Sequence, residues 1–143
     1  MLYADTSFLV SCYVKDANTF RAKSTVSAVS EPFAFTALHR LEIRNALELA
    51  VFRKRITAAE SAAAWADVVH DLRTRLLAPV ALEWGAAFRL ASRLAAKHSA
   101  TVGARSFDIL HVAAALRLGI GTIFTLDLRQ SSLASLAGLR VLP

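Results

Sequence analysis

Cysteine is almost absent from this chain: Cys12 stands alone among 143 residues. One thiol excludes an internal disulfide and any zinc site built on cysteine. Glycine (5) and proline (3) are also scarce, which excludes collagen-like and low-complexity architectures. Charged residues make up 20% against 55% hydrophobic, a balance that excludes a disordered chain. Yet no apolar run approaches the length of a membrane span. The opening Met1-Leu2-Tyr3-Ala4-Asp5 lacks a basic segment and meets an acid too early for a secretory signal. The expectation is a soluble cytoplasmic protein, without membrane attachment, folded as a single domain over residues 1–143.

What charge there is leans one way. Lys and Arg number 17 against 11 Asp and Glu, a net +6. Residues 1–72 carry eight of each sign, and residues 73–143 carry nine basic and three acidic, so the whole excess lies in the second half. Thirteen of the basic residues are arginine, the side chain suited to planar, bidentate phosphate recognition. A polyanionic partner fits this balance as well as simple solubility does.

Short β-prone runs alternate with helical stretches. Leu2-Tyr3-Ala4, Phe33-Ala34-Phe35, Leu76 to Val80, Thr122 to Thr125 and Leu139 to Leu142 read as strands, with Pro79 restricting the third to an edge or an end. Between them, helices are expected from Phe8 to Val14, after Asp16 or Asn18, from Thr36 to about Lys54, after the capping box Thr57-Ala58-Ala59-Glu60, from Glu83 to His98, from Ser106 as cap to Leu118, and from Leu128 to Ala137. Leu38, Leu41, Asn45, Leu49 and Phe52 are expected along one face of the third, and Trp84, Phe88, Ala91 and Ala95 inward on the fifth. Strands separated by helices imply an α/β fold with a parallel sheet, whose ligand site lies beyond the carboxyl ends of the strands.

Four acids stand at or near such positions. Asp5 ends the first strand, Asp127 follows Thr122–Thr125, Asp108 lies in the first turn of its helix, and Glu42 lies about two turns into the helix after the second strand. Each has apolar neighbours, unlike an ordinary solvated charge. Clustered carboxylates repel and raise one another's pKa, and a hard divalent cation resolves that repulsion. All-oxygen ligation favours Mg²⁺ or Mn²⁺ over zinc. Taken singly, Asp5 and Asp127 also make good helix caps, and Asp108 complements a helix dipole. Glu42 has no capping role, and Asn45 shares its face.

Four segments together resemble one family: Ala4-Asp5-Thr6-Ser7, Leu41-Glu42-Ile43-Arg44-Asn45-Ala46-Leu47, Ser106-Phe107-Asp108-Ile109-Leu110-His111-Val112-Ala113, and Thr125-Leu126-Asp127 followed by Arg129-Gln130. Their order and spacing resemble the PIN-domain ribonucleases, and among them the VapC-like toxins of bacterial toxin–antitoxin pairs. The resemblance spans essentially the whole chain. It implies a PIN-like three-layer α/β fold with a central parallel sheet of four or five short strands flanked by helices. It matches Asp5, Glu42 and Asp108 to the acidic metal ligands and Asp127 to the more variable fourth acid. Thr6 and Ser7 match the polar pair that supports the first acid, and Thr125 the hydroxyl two residues before the fourth. Leu126 departs from the aromatic or polar residue common there. The resemblance further implies Mg²⁺- or Mn²⁺-dependent hydrolysis of RNA, an antitoxin partner and a homodimer.

Other residues have plainer readings. His111, three residues after Asp108 on the same helix face, either touches a ligand or is a buried structural histidine, and its apolar neighbours favour the second. Cys12 reads as buried and inert. Arg40, Arg44 and Arg129 are candidate RNA-phosphate contacts, although Arg44 also pairs with Glu48 at i,i+4 spacing. Trp65 and Trp84 fall on periodic faces and read as packing residues. The helix from Thr36 to Lys54 is apolar around much of its girth (Leu41, Leu47, Leu49, Val51), which independently suggests a homodimer. A competing reading is a PIN-like module that binds RNA or protein without cutting. A receiver domain and a haloacid-dehalogenase-like phosphatase are disfavoured: the first wants a lysine after the last strand, and the second wants an acid where Ser7 stands.

Overall fold

The computed structural model describes residues 1–143. Five short strands and seven helices follow one another: β1 (Tyr3–Ala4), α1 (Thr6–Tyr13), α2 (Thr19–Ser27), β2 (Phe33–Phe35), α3 (Ala37–Phe52), α4 (Ala58–Arg73), β3 (Leu77–Pro79), α5 (Trp84–Val102), α6 (Ser106–Arg117), β4 (Thr122–Phe124), α7 (Leu128–Leu136) and β5 (Arg140–Leu142). This is the expected α/β architecture, and every strand pairing is parallel. The ladders run as a three-stranded sheet, order β1-β4-β5, and a two-stranded one, β2-β3. No helix is long and apolar enough to cross a membrane. The chain divides into two compact units, one of residues 1–5 with 81–143 and one of residues 6–80.

In the first unit β1 enters beside β4, with Tyr3 opposite Ile123 and Ala4 opposite Phe124. All four side chains are fully buried, consistent with strands of a parallel sheet that are apolar on both faces. The α6 run Ile109 to Ala115 is buried throughout, so small alanines there let helix and sheet approach closely. Tyr3 Oη lies 2.9 Å from His111 Nδ1 in this core. His111 is thus a buried structural histidine whose hydrogen-bonding capacity is met inside the fold.

The second unit is organised by caps. Thr57 and Glu60 form the expected box, each satisfying the other's backbone amide. Thr36 does the same for α3 with a histidine: His39 Nδ1 accepts from the Thr36 amide at 3.0 Å. His39 is fully buried and stacked on Phe35 at 5.8 Å between ring centroids. Pro79 is tolerated because β3 pairs with β2 alone, leaving an edge where no amide donor is required.

Several sequence expectations about helices shift. The first helix starts at Thr6, two residues early, because Asp5 ends the strand directly. Asn18 precedes α2 but makes no side-chain cap; Asp16 instead accepts from the Asn18 amide at 2.7 Å. Arg105, not Ser106, holds the cap position of α6. The buried stripe of α3 is Leu38, His39, Ile43 and Leu47, whereas Leu41 is 62% and Phe52 83% exposed. On α5 the buried residues are Ala87, Ala91, Leu94 and His98, and Phe88 is turned outward.

Candidate active site

Asp5 is buried at the end of β1. Its backbone amide donates to Phe124 O at 2.9 Å, extending the β1-β4 ladder to the last residue before the helix. Its carboxylate accepts from Thr125 Oγ1, Oδ2 being 2.6 Å away. A buried carboxylate needs such donors, because leaving it unsatisfied costs more than the bond itself contributes. The hydroxyl that supports Asp5 here is therefore that of Thr125, which the resemblance matched only to the position two residues before the fourth acid. The same hydroxyl lies 3.1 Å from Gln130 Oε1. Gln130, itself buried, donates from Nε2 to the Asp108 carbonyl at 3.3 Å. The single Thr125 hydroxyl proton serves the closer Asp5 carboxylate, and Gln130 lies beside this pair with its own hold on the Asp108 backbone.

Asp127 caps α7. Its Oδ1 accepts from the amides of Arg129 (2.8 Å) and Gln130 (3.0 Å), and its own amide donates to Thr125 Oγ1 at 3.1 Å. The capping role of Asp127 is therefore real and occupies one carboxylate oxygen. The other oxygen, Oδ2, faces Arg105 NH2 at 3.6 Å. Asp108 occupies the third residue of α6, and its Oδ2 takes both the Arg105 amide (3.1 Å) and Arg105 Nε (3.0 Å). Arg105 accordingly bridges Asp108 and Asp127. Its guanidinium is held above its ordinary pKa by the hydrogen bond to Asp108, then by the charges of Asp108, Asp127 and Asp5.

Glu42 lies on α3 in the second unit, half-buried. Thr6, the residue after Asp5 in the chain, donates its hydroxyl to Glu42 Oε2 at 2.8 Å. Ser7 is exposed, and its carbonyl accepts from Ser11. Of the candidate phosphate contacts, Arg44 lies 4.1 Å above the Trp65 ring and 4.0 Å from Glu48. Arg40 lies over Phe35 and the same indole at 5.6 and 5.9 Å. Trp65 thus presents two guanidinium groups on one aromatic shelf. Arg129 is exposed at the start of α7.

Sequence reasoning passed over Arg105 and Gln130. The signal for Gln130 was its place three residues after a capping Asp, the spacing of a capping box. Arg105 offered none, since Ser106 beside it looks like the cap. No three His, Cys, Asp or Glu side chains stand close enough together to form a ready-made metal site. The donors are nonetheless of the right kind for Mg²⁺ or Mn²⁺: carboxylate oxygens, two of which already share a cation in the Arg105 guanidinium. A cleft of about 320 Å³ lined by Leu9, Cys12, Tyr13, Phe33 and Leu77 lies within the second unit and includes none of the four acids.

Solved structures share this fold. The VapC20 toxin of Mycobacterium tuberculosis, described as cleaving the sarcin-ricin loop, superposes with a TM-score of 0.69 at 16% identity, over 92% of this chain and 94% of its own. FitAcB from Neisseria gonorrhoeae gives 0.63 at 17% identity, over 100% and 97%. FitAB bound to the IR36 DNA fragment gives 0.64 at 16%, over 99% and 94%. At these identities the likeness is one of fold. No curated protein matches the sequence. The family itself is settled by residues 2–136, which match the PIN domain with Asp5, Glu42, Asp108 and Asp127 all inside the match: the chain belongs to the PIN domain family.

Proposed function

We propose that this protein is a metal-dependent endoribonuclease, the toxin of a toxin–antitoxin pair, acting in the cytoplasm as one PIN domain over residues 1–143. The observation that carries the reading is that Arg105 joins Asp108 to Asp127 while Thr125 holds the Asp5 carboxylate, in a family of nucleases. Asp5, Glu42 and Asp108 would hold Mg²⁺ or Mn²⁺, with Asp127 as a fourth and weaker contributor. Bound there, the metal would supply an activated water and charge stabilisation for attack on a phosphodiester. The residues of this chain do the positioning. Thr125 fixes Asp5, Gln130 braces the Asp108 backbone, Thr6 orients Glu42, and Asp127 is anchored as the α7 cap. Arg40, Arg44 and Arg129 hold the RNA backbone, and the excess positive charge of residues 73–143 attracts it. The partner is a cognate antitoxin, a reading supported by the similar FitAB structure being bound to a DNA fragment.

The deciding experiment is cleavage of RNA by purified protein with Mg²⁺ or Mn²⁺ and with EDTA. Cleavage that appears with metal and disappears with EDTA is expected. Undiminished cleavage in EDTA overturns the metal assignment. A folded protein that binds RNA yet never cuts it makes the chain a binding module instead.

A further inference from the structure

Arg105 is the most heavily engaged cation of the first unit. Its amide and Nε both reach Asp108 Oδ2, at 3.1 and 3.0 Å, and its NH2 group reaches Asp127 Oδ2 at 3.6 Å. The Arg105 side chain is 68% exposed, against 14% for Asp108 and 24% for Asp127. The acids are therefore fixed and the cation is movable. Asp108 is held by its helix, and Asp127 by the two amides it caps, whereas Arg105 has solvent on most of its surface. A guanidinium and a divalent metal ion compete for the same carboxylate oxygens, because each satisfies the same excess of negative charge.

We infer that Arg105 is an internal counter-ion of the acid cluster, which a metal ion must displace from Asp108 and Asp127 in order to bind. This rests on the reading of those two acids as metal ligands. The arrangement makes Arg105 a positioning residue. In the metal-free protein it keeps the carboxylates close without repulsion. When metal arrives, the long exposed side chain swings away while the fixed acids stay in place. The cost of breaking an exposed ion pair is small, about 0.2–1 kcal/mol, so the competition shifts metal affinity by a modest factor and does not forbid binding.

The test is Mn²⁺ titration by calorimetry, without RNA, on the full-length parent, R105Q and R105K. R105Q removes the charge and is expected to bind Mn²⁺ about two- to fivefold more tightly than the parent. It should also melt at a lower temperature in EDTA and gain more on adding Mn²⁺. R105K keeps a positive charge and should stay near the parent. R105Q binding Mn²⁺ with the parent's affinity or more weakly overturns the inference, and so does R105K behaving like R105Q. If the parent binds Mn²⁺ and only these comparisons fail, the nuclease reading stands without the counter-ion. If no variant binds Mn²⁺ at millimolar concentration, both are overturned.

Discussion

Thr125 Oγ1 and Asp5 Oδ2 stand 2.6 Å apart although 120 positions separate them in the chain. The hydroxyl is the link between the end of β1 and the residue that closes β4. The same oxygen accepts from the Asp127 amide at 3.1 Å. Removing it leaves a buried charge short of a donor.

T125V should therefore be destabilised by about 1.5–3 kcal/mol, the range for hydrogen bonds to charged groups. Its RNA cleavage should fall, since Asp5 loses its fixed orientation. T125S restores the hydroxyl and should recover most of both properties. Thermal melting in EDTA beside a cleavage assay measures the two effects; a T125V protein as stable and active as the parent would refute the assignment.

D5N, E42Q and D108N should each abolish cleavage while the protein stays folded. Each removes one carboxylate charge from a set of acids that the single Arg105 cation only partly neutralises. Their melting temperatures in EDTA should lie within a few degrees of the parent, but they should lose the stabilisation that Mn²⁺ gives the native state. D127N should be milder, because asparagine caps a helix as well as aspartate does. Circular dichroism melts with and without Mn²⁺ decide this: mutants that melt early yet still cut RNA contradict the site.

Burial pushes the Cys12 thiol up from its ordinary 9.0 to about 11. The unfolded chain therefore loses this proton at lower pH than the folded one does. Cys12 contributes stability that is whole below about pH 9 and is lost as pH rises toward 11. C12A should lose less stability than the parent between those values. Chemical denaturation at pH 8 and pH 10.5 compares them, and parallel pH dependences would refute the argument.

A homodimer should scatter light at about 31 kDa, twice the 15.5 kDa chain. Leu41 and Phe52 project from nearly the same side of α3, three turns apart, and both are exposed. Replacing both with aspartate should yield a monomer that melts no earlier than a surface change warrants. A parent chain that scatters as 15.5 kDa at micromolar concentration removes the dimer altogether.

The order of strands and helices was legible because turn and cap signals are local. The Thr57–Glu60 box and the edge position of Pro79 follow from one amide each. Which face of a helix is buried was less legible. On α3, Leu38, Ile43 and Leu47 compete with Leu41, Leu49 and Phe52, and only packing partners far away in the chain choose between them. Asp5 and Asp127 stood out by their places after strands, whereas Asp108 and Glu42, inside helices, stood out only as part of the joint pattern. Their mutual support was not legible. Gln130 reaches the Asp108 carbonyl across 22 residues, and His111 meets Tyr3 across 108, distances no periodicity records.

Asp127 divides its two oxygens between different tasks: Oδ1 serves the helix, and Oδ2 faces positive charge. An amide in its place can keep the first oxygen and surrender only the second. Architecture and chemistry thus part at a single atom. Under the proposed reading, a point mutation there weakens cleavage without handing a misfolded chain to the cell's proteases, so weakened copies of the protein remain intact and still able to occupy whatever partner recognises the fold.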